Sequence, residues 1–200
     1  MTTASSPRRL GAEDSATRVQ LLDAAEQLLL EEGYAAVTSR RVAAKAGLKP
    51  QLVHYYFRTM DDLYLEVFRR RAEDGLERQA EALQSPQPLR ALWAFSNERG
   101  GTALTMQFAA LARHRPAIGA EIGAYAEEFR VRQLASLTES LREHGIDPDE
   151  LPPVVVLVFM TSLSRMLVME EGLGMSLGHA ETRALIERWL TQVEGPPLDG

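Results

Sequence analysis

Residues 33–60 hold five cationic side chains, Arg40, Arg41, Lys45, Lys49 and Arg58, and no Asp or Glu. The whole chain has a formal charge of −6, so this stretch is an electrostatic island, and it contains both lysines of the protein. Within it, residues 39–58 read SRRVAAKAGLKPQLVHYYFR. That pattern predicts a short helix, a glycine turn and a second short helix. Numbered from Ser39, the fourth, fifth, eighth, ninth, tenth, fifteenth and eighteenth positions are Val42, Ala43, Ala46, Gly47, Leu48, Val53 and Tyr56. A pair of closely crossing helices needs apolar side chains at its inner positions, a small one at the crossing and glycine where φ turns positive. All seven residues suit those roles, with Ala43 at the crossing.

The remaining side chains of the second helix then face outward: Lys49, Pro50, Gln51, Leu52, His54 and Tyr55. Gln pairs with adenine in the major groove through two hydrogen bonds, and an apolar residue such as Leu52 can touch a thymine methyl. Lys49 and Tyr55 can hold phosphates or bases, and Arg58 can join them. Thr38, Ser39 and the backbone amides beside them are natural phosphate ligands. Arg40 and Arg41 stand in the first turn of their helix, where a cation opposes the macrodipole, a placement that suits a nearby phosphate. A small basic helix-turn-helix on an acidic body is a device for entering DNA.

The elements that must position these residues are all helical, because no alternating strand pattern of any length occurs. About nine helices are expected: roughly 17–32, 39–46, 50–56, 59–83, 89–99, 102–114, 116–144, 154–171 and 180–193. The first carries a stripe of Val19, Leu22, Ala25, Leu28 and Leu29 and stops at Gly33. Thr38 or Ser39 caps the second, and Pro50 suits the first position of the third. Thr59 to Asp62 reads as a capping box. Gly100 and Gly101 are expected to end the fifth helix. The organisation expected is a flexible arm over 1–14, a DNA-binding domain over 15–58, and a larger domain over 59–200.

Composition narrows the field. Residues 1–71 carry 11 basic and 9 acidic side chains, and residues 72–200 carry 11 and 19. Nucleic acid is attracted to the first third and repelled by the rest. Cysteine is absent, and the first 14 residues lack an apolar leader run, so a cytoplasmic setting is expected. The apolar segment 154–169 contains Arg165 and reads as too short and too polar to span a bilayer. The four histidines have no metal-ligand spacing, and no metal or cofactor is expected. Gly174 to Gly178 matches the G-x-S-x-G of a nucleophile elbow, which requires a strand before it and a helix after it. Here it links two helices, so a serine hydrolase is the weaker alternative. A non-specific architectural DNA binder is another, but phosphate neutralisation favours a basic protein, and the pI is about 5.3.

Residues 21–34 (LLDAAEQLLLEEGY), then Thr38 through Phe57, then Asp61, Asp62 and Leu63, together resemble the TetR family of transcriptional regulators. The resemblance covers about a quarter of the chain. It implies an all-helical homodimer of nine or ten helices whose first three bind a palindromic operator. It further implies that the rest takes up a small molecule and dimerises through the last two long helices. Three residues depart from the family pattern: Tyr56 stands where His is common, Met60 where Lys touches phosphate, and Gln51 where a small residue is usual.

Large apolar residues spread over the fifth to eighth helices can line a ligand cavity. The candidates are Trp93, Met106, Phe108, Tyr125, Phe129, Phe159, Leu163 and Met166, with Asn97 and Gln107 able to orient a polar group. Few cations interrupt these surfaces, which favours a small hydrophobic effector. Val155, Val158 and Ser162 on the eighth helix, with Leu185, Trp189 and Val193 on the ninth, are the expected dimer interface. The expected function is therefore a ligand-responsive DNA-binding regulator, a repressor released from its operator by that effector.

Overall fold

A computed structural model describes residues 15–198, so the arm expected over 1–14 lies outside the described residues. Among them are nine α-helices and one 3₁₀ turn at Tyr34–Ala36, with no strand. The helices are α1 Ala16–Glu32, α2 Ser39–Lys45, α3 Pro50–Tyr56, α4 Met60–Ala82, α5 Pro88–Ser96, α6 Arg99–His114, α7 Pro116–Glu143, α8 Pro153–Gly172 and α9 His179–Glu194. The fold is all-α. The chain forms two compact units: one runs to Arg70 and adds Met106–Gly123, and the other comprises Arg71–Thr105 with Ala124–Gly200.

The first unit is built on α1. Leu21, Leu22, Ala25, Leu28 and Leu29 are buried at helical spacing, and Val42, Ala43, Val53, Phe57, Leu63 and Val67 share the same core. Val19, expected in the stripe, is largely exposed, because the buried face is centred on Leu21 and Leu22. Local chemistry sets each boundary. The Thr38 hydroxyl accepts the Arg41 N–H at 3.3 Å and caps α2. α2 ends in a left-handed glycine turn: Gly47 has φ +67, its N–H meets the Ala44 carbonyl at 3.2 Å, and the Leu48 N–H meets that of Ala43 at 2.8 Å. These two bonds form a Schellman motif. Pro50 opens α3. The Thr59 hydroxyl accepts the Asp62 N–H at 3.0 Å while the Asp62 carboxylate accepts the Thr59 N–H at 2.9 Å, completing the predicted capping box. Tyr56, expected in the core, is half-buried, its hydroxyl 2.8 Å from that of Ser15.

The core of the second unit gathers Leu83, Leu89, Leu92, Leu137, Leu141, Val156, Leu157, Met160, Ile186 and Leu190. The start of α5 is tied to the end of α9. The Glu194 carboxylate accepts the Leu89 N–H at 2.6 Å and the Arg90 N–H at 3.1 Å, satisfying two amides that a helix start leaves open. Desolvation pushes the Glu194 carboxyl up against the opposing pull of those amides. Gln87 adds bonds to the carbonyls of Glu194 (3.2 Å) and Pro196 (2.8 Å).

Two expectations are corrected. Gly100 and Gly101 lie in the first turn of α6 rather than after α5. α5 stops at Asn97, whose N–H and side-chain amide both reach the Trp93 carbonyl, so no glycine stop is needed. The apolar segment 154–169, expected to be too short and too polar to span a bilayer, lies in a helix that meets both criteria, although its bounds fall within one residue of the expected 154–171. With Pro153 in the first turn and Glu170 and Glu171 inside the helix, α8 has 20 residues and a mean hydropathy of 1.6 in its most apolar window, enough by length and composition to cross a membrane. It nevertheless carries Val156, Leu157, Met160, Ser164 and Leu167 into the core of its own unit, as a core helix does.

Within this unit α4 and α7 are joined at Glu73. Its carboxylate receives both guanidinium nitrogens of Arg132, at 2.9 and 3.0 Å, and the Tyr125 hydroxyl. The Arg132 hydrogen bond first, then that of Tyr125, holds Glu73 below its ordinary value of 4.5. Desolvation and the Glu73 carboxylate push Tyr125 up to about 12. A depressed carboxylate adds stability that is whole above its unfolded pKa and lost as pH falls through its folded pKa. Acid unfolding of the protein should therefore show a contribution that fades below pH 4.5, the ordinary carboxylate value. Glu73→Gln should flatten that limb, and a variant that unfolds in acid with the wild-type profile would contradict the assignment.

Candidate DNA-binding surface

The Schellman turn throws α3 outward from α2. Val53 is buried beneath α3, while Lys49, Pro50, Gln51, His54 and Tyr55 are exposed on its outer side. Tyr55 keeps 47% of its surface open and stands edge-on to Tyr56 at a centroid distance of 5.0 Å. Leu52, expected on the outside, is half-buried, which leaves part of its side chain for a methyl contact. Thr38 and Arg40 are exposed, Ser39 is half-buried, and Arg58 is exposed just past α3. Glutamine, imidazole and phenol groups thus share one helical face, with cations at its margins. The breadth and polarity of that face suit a major groove.

The cations fall into two groups. Arg40, Lys49 and Arg58 make no ion pair among the described residues. Arg41 and Lys45, one turn apart on α2, are bound to consecutive acids at the end of α1: Arg41 to Glu32 at 2.5 Å and Lys45 to Glu31 at 2.7 Å. The hydrogen bond between them raises the Arg41 guanidinium and lowers the Glu32 carboxyl. In the free protein the positive charge of Arg41 at a helix start is therefore offset by Glu32 rather than by phosphate. This pairing is invisible to a window that begins at Gly33.

A second cluster, not foreseen from sequence, braces the head from α6. Gln107 accepts the Tyr34 N–H at 3.3 Å, and the Tyr34 ring stacks on His114 at 5.4 Å. The buried Tyr64 hydroxyl donates toward the carbonyls of Tyr34 (2.9 Å) and Val37 (3.1 Å). Arg115 pairs with Asp61 and lies over the Tyr64 ring. The sequence signal was the aromatic directly after Gly33, which needs a partner once the chain turns there.

The expected ligand-lining residues are divided between the two units. Met106, Gln107 and Phe108 belong to the first unit, where Phe108 is buried edge-to-face against Phe68 at 5.2 Å and Met106 is exposed. In the second unit Trp93 and Leu163 pack against the core. There Asn97 caps α5, Phe129 is half-buried, and Tyr125 is engaged by Glu73. Phe159 and Met166 lie on the exposed side of α8, Phe159 edge-on to Trp189 at 6.4 Å. Of the expected interface residues, Val155, Val158, Ser162 and Leu185 are exposed, whereas Trp189 and Val193 rest against the core of their own unit. Gly174 to Gly178 joins α8 to α9 without the strand an elbow requires. The His179 imidazole bonds to Glu170 at 2.7 Å rather than to the Ser176 hydroxyl.

A capped three-helix head with an outward, acid-free third helix, joined to further helices, is a helix-turn-helix arrangement. Residues 21–67 match the family described as bacterial regulatory proteins, tetR family. A curated relative, the Fatty acid metabolism regulator protein of Bacillus subtilis (strain 168), is 23% identical over 116 residues, 58% of this chain and 56% of the relative. The chain thus spans little more than half the length of that relative. Among solved structures, the fatty acid degradation regulator FadR from Bacillus halodurans superposes with TM-score 0.65 at 16% identity, covering 92% of this chain and 96% of that one. The transcriptional regulator FadR from Bacillus subtilis, solved with stearoyl-CoA, gives TM-score 0.63 at 17% identity, covering 90% and 99%. These two superpositions bear on the fold.

Gln51 is the exposed side chain best suited to read a base. Gln51→Ala should cost about 1–3 kcal/mol on the cognate site and relax preference at one base pair. Competition binding against single-base variants checks this. Equal weakening on cognate and random duplexes would show that Gln51 reads no base.

Proposed function

We propose that the protein is a homodimeric repressor that grips a palindromic operator and is released by a small hydrophobic effector. The observation that carries this reading is the α3 face: Gln51, His54 and Tyr55 are exposed together, flanked by Arg40, Lys49 and Arg58, which make no ion pair among the described residues. Residues 15–58 form the reader, and residues 59–200 the part that senses and dimerises. A reading helix of two turns contacts few base pairs, and two-fold symmetry doubles the site. Val155, Val158, Phe159 and Leu185 supply an exposed apolar face on α8 and α9 for the second copy to cover. Half-sites then lie about one helical turn, roughly 34–36 Å, apart. The protein acts where the chromosome is, in the cytoplasm.

The likeness to two fatty acid regulators favours an effector with a long acyl chain. Free acids and CoA thioesters are the two forms to compare. Residues of α4 and α6 belong to both compact units, and these two helices are the route proposed from effector to reader. Gln107 and Tyr34 are the first link on the α6 side. Only a ligand that prefers the DNA-free arrangement shifts the equilibrium.

Two measurements test this reading. Val158→Asp should convert the protein to a monomer in sedimentation and reduce operator affinity by at least about tenfold, the scale of 1.4 kcal/mol. A variant that remains dimeric would move the interface elsewhere. Titration of operator complexes with long-chain fatty acids and their CoA thioesters should lower affinity by roughly 5–150-fold, corresponding to about 1–3 kcal/mol of coupling. Gln107→Ala should keep operator affinity and shrink that factor. If neither ligand class binds or changes operator affinity, the sensing half fails while the DNA-binding half stands.

A further inference from the structure

Glu31 and Glu32 occupy the last turn of α1, where the helix macrodipole disfavours carboxylates. Arg41 occupies the first turn of α2, where it disfavours cations. The structure joins these unfavourable placements: Arg41 binds Glu32 at 2.5 Å, and Lys45 binds Glu31 at 2.7 Å. All four groups sit at the surface, with side-chain exposures from 26% to 56%. Exposed pairs of this kind contribute little to stability, so the fold does not explain them. Their position does. Thr38 and Ser39 at the start of α2 carry hydroxyls and amides of the kind that take phosphate, and Arg40 and Arg41 follow directly along that helix. The Arg41 guanidinium has one carboxylate partner in the free protein, and DNA offers a second anion of the same kind.

We propose that Glu31 and Glu32 act as built-in competitors for DNA phosphate, holding Arg41 and Lys45 until the backbone of a duplex displaces them. This inference rests on the DNA-binding reading. It assigns the two acids a role no base contact would reveal: they set how tightly the head holds any duplex. Phosphate contacts dominate non-specific affinity and its salt dependence. With the acids in place, engaging DNA through Arg41 and Lys45 requires two ion pairs to open first. Arg40, Lys49 and Arg58 meet phosphate without that step.

The test is a cycle on the full-length protein. Glu31→Gln/Glu32→Gln is combined with Arg41→Gln/Lys45→Gln, and binding to a random-sequence duplex and to an operator duplex is measured over a range of salt. Because the acids are exposed, the amide variants should fold, which circular dichroism verifies. Neutralising the acids should raise affinity for both duplexes roughly tenfold at physiological salt. It should steepen the log–log salt slope by about one to two. In the Arg41→Gln/Lys45→Gln background the same change should have little effect, because the acids act through those cations. An equal gain in both backgrounds would assign the effect to bulk charge and overturn the proposal, as would no gain in either. If the wild-type protein bound neither duplex, the DNA-binding reading itself would fall, a result distinct from either of those.

Discussion

Everything the head can do depends on the turn between Ala43 and Leu48. Ala43 is entirely buried, and a small side chain there suits two closely crossing helices. Gly47 takes the positive φ, and two N–H groups return to the end of α2. That geometry fixes the angle at which α3 leaves, and with it which side chains face out. With a Cβ at position 47 the left-handed turn would be strained, and Gln51, His54 and Tyr55 would no longer share a defined orientation. The core beneath, from Leu21 to Val67, holds the turn still. Base readout is a question of ångström-scale placement, and here placement is set by one small residue and one glycine.

Charge is the second organising constraint. An acidic protein that binds DNA must confine its attraction to a small area. Residues 33–60 do so by excluding acids altogether. Two acids immediately before that stretch then engage two of its five cations, which leaves a head more selective about where it presents positive charge than its sequence suggests. In the second unit, charge does structural work instead. Glu73 joins α4 to α7 through Arg132 and Tyr125, and Glu194 satisfies the open amides of α5.

What could be read from the sequence was whatever depends on near neighbours. The capping box at Thr59, Pro50 at the start of α3 and the glycine turn are contacts within five residues, and their residue types dictate them. The helical class followed from periodicity for the same reason. Gly100 and Gly101 were misread because glycine is tolerated in the first turn of a helix as well as after its last. The pairing of Arg41 with Glu32, the engagement of Tyr125 by Glu73 and the bracing of Tyr34 by Gln107 and His114 all depend on which helices meet. No local pattern encodes them.

On the function proposed, α3 reads a two-fold symmetric DNA site. Selection of bound duplexes from a random-sequence library, at fixed salt and with the purified full-length protein, tests it most directly. Enrichment of an inverted repeat whose half-sites are about one helical turn apart is expected. Recovery of unenriched sequence, or of a single asymmetric site, would contradict it.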